Sequence, residues 1–151
     1  MLFSPMPTEA QQAATQQTIT LRIEEINRVS INLPTLQLII SQAQDISGDT
    51  VSAVNTDGLL SWATNGDNKK ITVTSDRPSS RFILKLAPQN ISTNAGTAMP
   101  EVFLNDNQPH DLVVGVSKTS GRCYLRVTAS STLSAGVGTE SYILTYTITN
   151  S

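Results

Sequence analysis

The sequence is poor in residues that do chemistry. Among 151 residues it has one cysteine, one histidine, 5% aromatics and 15% charged residues. Globular chains usually carry roughly 25% charged residues. The single cysteine, Cys123, excludes an intrachain disulfide. In GRCYLRV it alternates in phase with Leu125 and Val127, as a small buried hydrophobe does. The single histidine, His110, excludes a histidine-rich metal site. No apolar run approaches the ~20 residues of a membrane helix. The net charge is −2 and the basic residues are scattered in runs no longer than two. No field draws in nucleic acid or anionic lipid, so neither is an expected partner.

What is present is alternation. TITLRIEEI places Ile19, Leu21 and Ile23 on one side and Thr20, Arg22 and Glu24 on the other, the period of a half-buried strand. RVSINL repeats the pattern with Val29, Ile31 and Leu33, and LQLIIS offers a third strand. Residues 45–57 read as loop with a short strand at 51–54. LLSWAT and KITVTS flank Asn65-Gly66, a pair suited to the positive φ angles of a type I′ hairpin. RFILKLA, EVFL, HDLVVGVS and CYLRVTAS follow, the last two joined by KTSGR, a second hairpin-like turn. The chain closes on GTESYILTYTITNS, where Tyr142, Leu144, Tyr146 and Ile148 share one face.

About nine or ten short strands without a convincing helix predict an all-β fold, an antiparallel sandwich of two sheets. Residues 1–17, with prolines and a Gln/Ala/Thr stretch, read as an extended arm, and residues 18–151 as a single sandwich domain. TEAQQAATQQ could form two or three helical turns capped by Thr8, marginal in isolation. The opening lacks the basic start and apolar core of a secretion signal. It has the look of the start of a mature exported chain.

The search for catalysis is short. A Ser-His-Asp triad would need His110, yet the adjacent Asp111 would point to the opposite face of a strand. There is no G-x-S-x-G and no glycine-rich phosphate loop. Glu24 and Glu25 diverge as strand neighbours. DISGD, NTDG and NGDN could hold Ca²⁺ weakly through oxygens, but Asp and Asn beside Gly are also the ordinary vocabulary of turns. NIS at Asn90 fits a glycosylation sequon. Trp62, in phase with Leu60, fits a core better than a sugar platform. The expectation is a non-enzyme with no cofactor and no metal.

ITLRIEEINRVSINL, LLSWATNGDNKKITVTSD, FILKLAP and the closing HDLVVGVSKTSGRCYLRVTASSTLSAGVGTESYILTYTIT resemble small exported bacterial β-sandwich proteins of the pilin and surface-adhesin kind. The resemblance spans residues 18–149 and is one of pattern and composition, without a diagnostic motif. It implies an extracellular structural subunit of a filament, with neighbouring subunits and a periplasmic chaperone as partners. In such pilins a neighbour's N-terminal segment completes a sandwich that lacks a strand. That points to Ile19, Leu21 and Ile23 as the donated side chains and to Tyr142, Leu144, Tyr146 and Ile148 as one wall of the receiving groove. Pairing of residues 18–26 within the same chain would instead make a complete monomer. A carbohydrate- or protein-binding module is the alternative function, favoured by an exposed Trp62. A hydrolase using His110 is a third, and composition does not exclude a viral coat sandwich.

Overall fold

The computed structural model describes residues 12–41 and 45–151. Ten strands follow in chain order: β1 (Asn27–Ile31), β2 (Ile46–Ser47), β3 (Thr50–Thr64), β4 (Lys69–Ser75), β5 (Ile83–Gln89), β6 (Thr97–Ala98), β7 (Val102–Phe103), β8 (His110–Val116), β9 (Thr119–Thr132) and β10 (Leu144–Asn150). One sheet has the order β1-β3-β9-β5-β7, with β2 also on β3; the other is β10-β4-β8-β6. All pairings are antiparallel. The chain is an all-β sandwich of two sheets.

Alternation explains the core. Leu60, Leu86 and Leu125 of the first sheet meet Ile71, Val73 and Leu112 of the second, and each is buried. Trp62 joins them, with its indole N–H donating to the Ala95 carbonyl at 3.1 Å. That bond answers the indole's one polar group.

The turns are used differently from their sequence reading. Asn65-Gly66 does not close a hairpin, because β3 and β4 lie in different sheets. The link is an arch over the end of the sandwich, and the positive φ, 50°, belongs to Asn68. At Gly66 a Cβ would sit 2.6 Å from Lys69 Cε and 2.8 Å from a Glu25 oxygen, both ends of flexible side chains that would have to shift. The second expected hairpin is also an arch, with β8 and β9 in different sheets and Lys118 at φ 44°. Gly121 lies inside β9 instead, where a Cβ would come within 2.8 Å of the Trp62 ring and collide with Ala95. A tight hairpin occurs within the stretch read as loop, where Gly48 (φ 61°) and Asp49 join β2 to β3. Alternation tells which side chains point inward, but not which sheet carries them.

Two expected strands are absent. LQLIIS forms none, although Leu38 packs on the core. Residues 18–26 form none either, and Ile19, Leu21 and Ile23 are 69%, 89% and 84% exposed. An alternating segment becomes a strand only beside a partner, and this one has none among the described residues. Residues 12–17 of the expected arm show no helix. Thr8 lies outside the described residues.

Candidate functional site: an open seam and an unpaired segment

β1 and β10 are the last strands of their sheets on the same side of the sandwich, and they approach each other there. Their ladders show which backbone groups are spoken for. The Ile143 carbonyl accepts from Asp76 N–H at 3.0 Å, and Ser151 N–H donates to Asn68 at 3.0 Å, both toward β4. Antiparallel bonding alternates along a strand. The N–H and C=O groups of Leu144, Tyr146 and Ile148 therefore face the open side. On β1, Ile26 and Asn32 bond to Asn65 and Leu59 at 3.2 Å, so the backbone of Val29 and Ile31 faces the same opening. These five side chains point inward and pack on the core, yet stay only half-buried. The seam thus sets half-covered apolar side chains beside backbone groups that face away from their own sheets. Burial pushes the Tyr146 hydroxyl up to about 12, with the neighbouring Cys123 a smaller cause, so the seam carries no charge there.

The chain enters β10 from a fixed point. The Glu140 carboxylate accepts from Ser80 Oγ at 2.6 Å, from Arg81 N–H at 2.9 Å and from the Tyr142 hydroxyl. The Ser80 bond leads in holding Glu140 below its ordinary value. Arg77 lies over the Tyr142 ring, 5.1 Å from its centre.

The unpaired segment leaves from the other end, where β10 finishes. Asn65 Oδ1 accepts from Ile26 N–H at 2.7 Å, and its Nδ2 donates to the Glu24 carbonyl at 2.8 Å. Lys69, its side chain only 7% exposed, joins Glu25 to Asn150. Hydrogen bonds from Lys69 and then Asn27 hold the Glu25 carboxyl below its ordinary value. Residues 24–26 thus continue the line of β1 past the end of the sandwich. Ile19, Leu21 and Ile23 lie beyond this root, exposed and off the chain's own β10.

Of the residues singled out in sequence, the two sets sit apart: Ile19, Leu21 and Ile23 on the projecting segment, Leu144, Tyr146 and Ile148 on β10, and Tyr142 just before it. Sequence reasoning missed the second wall, Val29 and Ile31, and the root at Asn65 and Lys69. The signal for Asn65 was present and was read as a hairpin.

The remaining candidates are structural. Trp62 is in the core. Cys123 is buried, which pushes its thiol up to about 11 and keeps it protonated. His110 bonds Asp106 at 2.7 Å and not its neighbour Asp111, which pairs with Lys70 at 3.1 Å. Asp106 is held below its ordinary value first by the Gln108 N–H and then by His110. Among the described residues no cluster of three His, Cys, Asp or Glu side chains could hold a metal ion, and no helix is long and apolar enough to cross a membrane. No family model, curated protein or solved structure matches the chain.

Proposed function

We propose that the chain is a non-enzymatic structural subunit of an exported bacterial surface filament, assembling by strand complementation. Within residues 18–26, the stretch 18–23 of one copy lies along β10 of the next, and 24–26 form the root held on their own subunit. One observation carries the reading. The chain holds a seam with outward-facing backbone groups and half-covered side chains, and an exposed segment with matching alternation that does not lie on that seam. An unpaired edge of this kind invites a strand from another chain. Three buried Ile or Leu side chains contribute roughly 1.5–3 kcal/mol each before the cost of ordering the segment.

The geometry supplies a direction. The segment leaves one end of the sandwich, and a neighbour stacked in line offers its opposite end. The donated strand then runs antiparallel to β10 and parallel to β1. Such a contact is head-to-tail and does not close on itself, so it yields filaments.

The test uses the full chain and a synthetic peptide of residues 18–26. Light scattering and negative-stain microscopy across concentration should show ladders or filaments. Replacing Ile19, Leu21 and Ile23 by Ser should abolish them while leaving the fold intact. The peptide should raise the melting temperature of that variant in proportion to the logarithm of its concentration. The peptide arm reads the groove directly, even where a periplasmic chaperone starts assembly in the cell. A chain that stays monomeric and does not respond to the peptide would sink the proposal.

A further inference from the structure

A second site lies on the outer face of the first sheet. The chain has ten basic residues. All four lysines are paired with carboxylates: Lys69 with Glu25, Lys70 with Asp111, Lys85 with Glu101 and Lys118 with Asp67. Arg22 pairs with Glu24, Arg77 covers Tyr142, and Arg81 donates to the Ala135 carbonyl. Among the described residues, the guanidinium groups of Arg28, Arg122 and Arg126 have no such partner. Arg28 is on β1, the other two on β9.

Register brings two of them together. Arg28, Ala63 and Ser120 form one row across β1, β3 and β9, and Ser30, Ser61 and Arg122 form the next. Their neighbours Val29, Trp62 and Cys123 point into the core, so these six point outward. They line a depression of about 450 Å³ that holds no acidic side chain. The floor is short and hydroxylated. Strand spacing and rise place the two arginine Cα atoms roughly 12 Å apart at diagonal corners. Ser92 extends the face, its Oγ accepting from Arg122 N–H at 3.0 Å. Tyr124, two residues along the same face of β9, is 45% exposed.

We propose that this depression binds an acidic polysaccharide, one carrying carboxylate or sulfate groups on a chain of sugars. Each arginine takes an anionic group in a two-pronged hydrogen bond. The serines meet sugar hydroxyls, and Tyr124 offers its ring to a sugar face. Nucleic acid fits less well, because its bases seek several stacking rings close together, and Tyr124 is the exposed ring set beside Arg122, with Phe103 strands away on β7. An acidic peptide would add to a strand edge, and this surface is the face of a sheet. The site is independent of the assembly reading.

The test is biolayer interferometry on the full chain with three probes: an oligogalacturonate, a heparin oligosaccharide and a single-stranded DNA of similar charge. Saturable binding to at least one saccharide is expected, weaker at high salt. The better of the two separates carboxylate from sulfate as the anion. Arg28→Ala and Arg122→Ala should each weaken it about tenfold, the loss of a charged hydrogen bond. Lys70→Ala removes the same charge from the other sheet and should change it by less than about twofold. The proposal is overturned if neither saccharide binds saturably, if DNA binds as tightly, or if Lys70→Ala costs as much as either arginine.

Discussion

The middle of the sandwich and its open side obey the same alternation and end up differently. In the middle, Leu60 of β3 lies in register with Cys123 of β9, and both are fully buried. At the side, Leu144, Tyr146 and Ile148 also point inward, and each keeps part of its surface in water. The side chains of β10 are no less apolar. What differs is the neighbour count: β3 and β9 pair with strands on both sides, whereas among the described residues β10 pairs with β4 alone and only approaches β1. Half-burial here follows from the edge position and not from a weaker sequence.

That contrast can be broken by mutation. Leu60→Ala should cost about 3 kcal/mol in urea denaturation, because the packed middle cannot collapse around the void. Gly121→Ala should cost about 2 kcal/mol, since the added methyl collides with Ala95 and the Trp62 ring. Leu144→Ala should cost only about 1 kcal/mol in the isolated chain, because part of that side chain is already in water. Its cost should rise toward that of Leu60→Ala when the peptide of residues 18–26 is present. Equal costs for Leu60→Ala and Leu144→Ala without peptide would erase the distinction between middle and side.

The smallest effect concerns the root of the projecting segment. Glu25 is held below its ordinary value of 4.5. A carboxyl with a lowered folded value contributes stability above its unfolded value and loses it as pH falls through the folded one. Asp106 and Glu140 shift in the same direction, so stability should fall below about pH 4.5 for several carboxylates together. Glu25→Gln should make that fall slightly shallower in acid-denaturation curves. An unchanged curve would mean that Lys69 and Asn150 hold the end of β10 without Glu25.

Much of this was legible residue by residue. Period-two spacing named Leu60, Trp62, Cys123, Leu125 and Val127 as inward-facing, and all are buried. It also singled out Leu144, Tyr146 and Ile148. The same spacing misled at residues 18–26, where a strand pattern stands without a strand. Alternation reports what a segment could pair with and not whether a partner is within reach. The glycines were visible as special positions, but Gly121 serves close approach, which depends on Ala95 and Trp62, side chains distant in sequence.

The outward arginines show the limit most sharply. Arg28 and Arg122 are 94 residues apart in the chain, and nothing local links them. They become corners of one depression because β1 and β9 both pair with β3.

By itself the sequence determined the fold class, the inward faces of most strands and the poverty of catalytic groups, because period, composition and residue type are local properties. Tertiary structure decided which strands share a sheet, which edge stays open and which charges stay unpaired. Those depend on contacts between distant segments, and hydrogen-bond register along the chain does not encode them.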